Sequence, residues 1–227
     1  MGWVEYVLAM GLFLASHRVP AMLGLKARVT AVLGPRGYVV AFSLMSTALL
    51  VWVIAAAGRA PFVPLWDHAI WQRWAVNLVM PLAVTLAVFG TAAPNPFAFE
   101  GRRTGFDPAR PGIAGLTRQP LLWALVLWAG AHLLANGDLA HAILFGFFVV
   151  FSVLGMRMVE ARRRRDIGAA RWQAVTARTS LVPLAALIAG RWRPRGAPPV
   201  LRLVLTVAIW AAVWHLHAPV IGVSPAP

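Results

Sequence analysis

Cysteine is absent from the sequence, which excludes disulfides, thiolate zinc sites and cysteine-held iron–sulfur clusters. Acidic residues are scarce and scattered: Glu5, Asp67, Glu100, Asp107, Asp138, Glu160 and Asp166. No two of them stand at a spacing that suggests a carboxylate dyad, and no catalytic triad is apparent. The two longer polar stretches, residues 94–115 and 160–199, hold no glycine-rich phosphate cradle, and the chain carries no internal repeat. The opening "MGWVEYVLAMGLFLAS" lacks a basic stretch ahead of its apolar run. It therefore reads as a retained first span, not a cleaved signal peptide.

What the sequence has in excess is apolar surface. Of its 227 residues 60% are hydrophobic, the mean hydropathy is +0.72, and tryptophan and phenylalanine each occur eleven times. A soluble domain carries roughly 45–50% apolar residues, so this chain cannot hide its surface in one aqueous core, and the lipid bilayer becomes its expected solvent. Six stretches are long enough to cross a bilayer: residues 2–23, 38–58, 74–93, 116–136, 139–159 and 200–222. A shorter run, "TSLVPLAALIAG" at 179–190, contains Pro183 and suits an interfacial or re-entrant segment better than a span. The expected fold is all-α, a polytopic membrane helical bundle forming a single transmembrane domain over residues 1–227.

The net charge of +14 is distributed unevenly. With Met1 outside, the segments after spans one, three and five are cytoplasmic. Nineteen of the 21 basic residues fall there or at the adjoining span ends, leaving Arg59 and Arg73 on the other face. That is a strong positive-inside pattern with both termini outside. The run Arg162 to Arg165 fits the same scheme as the anchor of span five, although acidic headgroups would also suit it. Nothing here supports nucleic-acid binding, since no stacking platform or recognition motif accompanies the charge.

Strongly polar groups inside spans are expensive and are candidates for function. They are His17, Asn77, His132, Asn136, His215 and His217, with His141 near a span end and His68 in an outer loop. In span four Trp128, His132 and Asn136 are spaced by four, and Arg118, Leu125 and His132 by seven, which places them along one helical stripe. Span one repeats the device with Trp3, Tyr6, Met10, Phe13 and His17. Two histidines facing across a bundle and walled by aromatic rings are what a bis-imidazole haem requires. Plain packing and interhelical hydrogen bonding explain the same stripes. His215 and His217 point to nearly opposite sides of span six, so at most one of them faces a shared interior.

The segments "SHRVPAMLGLKARVTAVLGPRGY", "LTRQPLLWALVLWAGAHLLANGDLAHAILFG", "RWQAVTARTSLVPLAALIAGR" and "WHLHAPVIG" resemble the NnrU family through nearly the whole chain. The most specific is the W-x-x-x-H-L-x-x-N-G-D core that runs from Trp128 to Asp138. That family is similar in turn to the 15-cis-ζ-carotene isomerases, membrane enzymes that use haem b. The resemblance implies His17 and His132 as haem ligands, and the helical stripes that carry them make Phe13, Arg118, Trp128 and Asn136 the candidate residues around the cofactor. Ala129 matches the isomerases' cysteine, so a change to a cysteine ligand is not open to this chain. Where the family pattern reads Arg-His-Pro, this chain reads Arg118-Gln119-Pro120, and Gln119 neither titrates near neutral pH nor ligates iron well. His17 and His132 differ in depth by roughly 15 Å at 1.5 Å per residue. His217 lies nearer the depth of His132 and is the reserve ligand.

Three functions follow from these resemblances. The first is haem-dependent cis–trans isomerisation of a hydrophobic polyene. The second is a non-enzymatic accessory role in denitrification, beside a respiratory membrane complex of the bacterial cytoplasmic (inner) membrane. The third rests on a likeness of the Arg118 region and "EARRRRDIGAARWQAVTARTSLVP" to isoprenylcysteine methyltransferases, which implies S-adenosylmethionine at the cytoplasmic ends of spans four and five. The missing histidine at Gln119 weakens that third reading.

Overall fold

A computed structural model describes residues 2–227, without the side chains of Arg18 and Ala21. The described residues form helices joined by loops and turns, with two isolated β-bridges and no strand. They divide into two compact units, residues 1–67 with 137–144, and residues 68–136 with 145–227.

The first unit is built on α1 (Gly2–Met22) and α2 (Leu25–Arg59), joined at Gly24 in the left-handed region. α2 begins well before residue 38, where the apolar run alone puts its start. It is broken at Gly34, whose φ of 72° no L side chain adopts readily, and Pro35 restarts the helix. Tyr6, Ala9 and Phe13 bury one stripe of α1, and Val53, Ala56 and Ala57 are the buried residues of α2. The small residues allow close approach, so a Cβ on Gly2 would lie 2.4 Å from the carbonyl oxygen of Arg59. Near this end Glu5 accepts hydrogen bonds from Trp52 and Arg59, which pairs the one acid in the first span.

An extended segment after α2 pairs with the turn at 136–138. Leu65 donates to the Gly137 carbonyl at 2.7 Å, Leu139 donates to Val63 at 2.9 Å, and Tyr6 donates to Ala140 at 3.0 Å. Asp138 then caps α6 (Leu139–Ile167), accepting from the backbone N–H and the ring Nδ1 of His141. A side chain at Gly137 would collide with this backbone, because its Cβ would sit 2.0 Å from the Trp66 carbonyl oxygen. Gly137→Ala is expected to lower stability by about 1–3 kcal/mol, read as a drop in the unfolding midpoint of the detergent-solubilised protein.

The second unit contains α3 (Ile70–Gly90), α4 (Ile113–Leu116), α5 (Pro120–Ala135), the greater part of α6 (Leu139–Ile167), α7 (Ala169–Thr176), α8 (Ala185–Ile188) and α9 (Val200–Ile221). α3 packs against α5 and α9. Asn77 ties α3 to α9, accepting from the Trp214 ring at 3.0 Å and donating to the Pro225 carbonyl at 2.8 Å. Arg202 donates to the carbonyls of Val88, Phe89 and Thr91, which closes the C-terminal end of α3. α2, α3, α6 and α9 are each long and apolar enough to cross a membrane.

α5 is shorter than the apolar run that contains it. Pro120 sets its first turn and Asn136 its last, leaving 16 residues that extend about 24 Å, against a hydrocarbon core of about 30 Å. The expected short segment at 179–190 forms turns and the single helical turn α8. It is stitched to the start of α5: Arg118 N–H donates to Ser180, Thr117 and Trp123 side chains donate to Leu181, and Leu184 donates to Leu116.

The loop after α3 folds back on the same corner. Asn95, fully buried, donates to the Arg118 carbonyl and accepts from Phe97 N–H. Glu100 accepts from Leu121 N–H through Oε1, while its buried Oε2 and the buried Oε1 of Gln119 have no hydrogen-bond partner among the described residues. Burial pushes the Glu100 carboxyl above the usual value of 4.5, opposed by its own amide and that of Leu121. A raised carboxylate binds its proton more tightly in the folded state. Its contribution to stability is therefore full below pH 4.5 and is lost as pH rises through the folded value. Glu100→Gln should flatten the unfolding midpoint between pH 4.5 and neutrality relative to wild type, a comparison that thermal scans at stepped pH will make.

Candidate functional site

Helix α5 presents its aromatic and imidazole groups along one side because four residues advance a helix by slightly more than one turn. Trp128 and His132 have ring centroids 5.6 Å apart. Phe145 packs on both, at 5.3 Å from Trp128 and 5.2 Å from His132, and Phe148 lies 5.5 Å from Trp128. Phe145 and Phe148 are buried, so His132 stands against a wall that excludes water on that side.

The neighbour that matters most chemically is His217 of α9. Its ring centroid is 6.4 Å from that of His132, with the ring planes 25° apart. His132 Nδ1 lies 2.8 Å from the carbonyl oxygen of Trp128, and His217 Nδ1 lies 2.7 Å from that of Val223. A carbonyl oxygen only accepts, so each Nδ1 carries a proton, and the neutral form of each ring has its lone pair on Nε2. That is the tautomer used to bind a metal, held by the same kind of outer hydrogen bond that orients ligand histidines in metalloproteins. Two imidazoles sharing one metal place their centroids about 6 Å apart, given metal–nitrogen bonds of about 2 Å. The pair thus offers two imidazole nitrogens that could hold a haem iron, and no cluster of three or more His, Asp or Glu suited to a metal occurs among the described residues.

The remaining site residues fall in different places. Asn136 donates from Nδ2 to the His132 carbonyl at 2.8 Å and ends α5. It supports the histidine's backbone, not its ring. Arg118 stands at the far end of the same helix, about 20 Å away along the axis, and is occupied elsewhere. It forms a two-pronged ion pair with Glu160, donates to Thr179 at 3.0 Å and stacks over Trp172 at 5.6 Å. Gln119 is fully buried and donates to the Phe97 carbonyl.

His17 belongs to the first unit. Its ring contacts Phe13 at 4.6 Å and Phe42 at 5.2 Å, its Nδ1 lies 2.8 Å from the Phe13 carbonyl oxygen, and its Nε2 lies 3.2 Å from the Ser46 hydroxyl. Its Nδ1 faces a carbonyl oxygen as in the other two histidines, and its Nε2 faces the Ser46 hydroxyl. His215 is exposed and touches Trp214, His141 is bound to Asp138, and His68 is exposed in a loop. Phe145 was not foreseeable from spacing within one span because it comes from α6, and the Val223 carbonyl because it lies past the end of α9, where the chain turns back on His217.

Long apolar helices with outward apolar faces, such as Val204 and Val207 of α9 and Leu44 and Val51 of α2, define an integral membrane protein of the helical class. Within that class, the sequence profile of the NnrU protein family matches residues 5–225, nearly the whole chain, and the chain belongs to this family. No curated protein and no solved structure matches it.

Proposed function

We propose that this NnrU-family protein binds haem b in the membrane through His132 and His217, and that the bound group acts on a hydrophobic substrate. The observation that carries the proposal is the near-parallel imidazole pair, each ring fixed by a backbone carbonyl so that Nε2 bears the lone pair. When bound, haem b would supply a redox-active iron, which suits cis–trans isomerisation of a polyene. The protein's own part is to hold the two imidazoles, to shield one side with Trp128, Phe145 and Phe148, and to brace the His132 backbone with Asn136. His17, the ligand implied by likeness to the carotene isomerases, is the rival for the second position.

The topology that accompanies this reading has six spans and both termini outside, in a bacterial cytoplasmic membrane. The one-sided distribution of arginine supports it. The short α5 would then cross with the help of the segments at its two ends. A second reading, an accessory protein of denitrification docked on a respiratory complex, draws on the half-buried position of His217 on an exposed helix, where a partner could approach.

The test is a visible spectrum of the full chain, expressed with ample haem precursor and recorded oxidised and reduced. A Soret band with the sharp reduced bands of bis-histidine haem is expected, and a colourless protein overturns the proposal. Incubating the reduced protein with a polyene and following its isomer ratio separates the enzyme from the accessory protein.

A further inference from the structure

A second feature lies away from the histidine pair. Arg178, Arg191, Arg193 and Arg195 line one cleft of about 280 Å³, with Trp192 beside them and no acidic residue among its lining. Arg178 and Arg191 are held in place, the first by the Ala109 carbonyl and the second by those of Ala177 and Thr179. Arg193 and Arg195 are exposed, and among the described residues they take no hydrogen-bond or ion-pair partner. Four guanidinium groups repel one another in so small a space unless an anion joins them. The cleft is thus half preorganised and carries uncompensated positive charge.

Its surroundings indicate what kind of anion it takes. The segment that feeds into the cleft exposes Val182, Leu184 and Ile188, the last at 83%, while its backbone is fastened to Ser180, Leu181 and the start of α5. The Trp192 ring is anchored over Gly115, where a Cβ would come within 2.4 Å of it. Exposed aliphatic side chains, an interfacial tryptophan and arginines in adjacent positions form the pattern of a segment lying in the headgroup layer. We infer that this cleft binds the phosphate of an anionic lipid headgroup, with Val182, Leu184 and Ile188 seated among the acyl chains. The site is independent of haem and sits on the face richest in arginine.

Native mass spectrometry of the full chain in detergent tests this, with short-chain phosphatidylglycerol, phosphatidylcholine of the same chain length, and inorganic phosphate as probes. Phosphatidylglycerol should bind roughly tenfold tighter than phosphatidylcholine, and Arg193→Gln with Arg195→Gln should erase that preference. Removing the same charge at the end of α6, by Arg164→Gln with Arg165→Gln, should leave it within about twofold. Arg193→Lys with Arg195→Lys keeps the charge and should retain most of the preference, which guards against a folding defect in the glutamine variant. Equal loss in the two glutamine pairs, no preference over phosphatidylcholine, or inorganic phosphate binding as tightly as the lipid would each overturn the assignment.

Discussion

His132→Ala should abolish the Soret band of the purified protein, lowering bound haem per chain by at least about tenfold. The reason is geometric. His132 supplies the ring packed against Trp128 and Phe145, and no other residue of α5 carries an imidazole. His217→Ala removes the partner ring across the pair and should leave at most a weak, five-coordinate haem spectrum. His17→Ala should change the spectrum little, since His17 has its Nε2 against Ser46. The alternative is equally visible: bleaching by His17→Ala with an unaltered His217→Ala spectrum would assign the second ligand to His17. Pyridine haemochrome quantification of all three variants decides between these outcomes.

The second large effect concerns Arg118. Its side chain is 12% exposed and that of Glu160 17%, so the pair is mostly withdrawn from water. Truncating one partner leaves the other charge without compensation, which costs about 3–5 kcal/mol for buried pairs; partial exposure puts this one at the lower end. Arg118→Ala also deletes the bond to Thr179 and the stacking over Trp172, so the 179–184 segment should loosen from the start of α5. Thermal unfolding will read the first effect. Faster amide exchange at Ser180 to Leu184 will read the second. Glu160→Gln should cost less, because the amide oxygen still accepts one of the arginine N–H groups. Haem content should be unaffected by either change if Arg118 serves the fold alone.

Hydropathy located the helices, since a membrane span must be continuous and apolar whatever its neighbours are. Ends were less legible. Pro120 and Asn136 shorten α5 through local hydrogen bonding, and the break in α2 depends on the single conformation of Gly34, neither of which alters the apolar count. The stripe from Trp128 to Asn136 was readable because spacing by four residues is intrinsic to a helix. Arg118 shares that stripe in sequence, yet the structure places it in an ion pair with Glu160, a residue 42 positions later that no periodicity could link to it.

That this chain is a helical membrane protein of the NnrU family is legible in its composition, apolar run lengths and ordered motifs, because these are local properties. The sequence also marked His17, His132 and His217 as unusual. Which of them meet within one unit is a matter of packing: His132 and His217 come together because α3 packs against both α5 and α9. Packing also turns each Nδ1 toward a carbonyl oxygen 2.8 Å or less away, a contact that no sequence records.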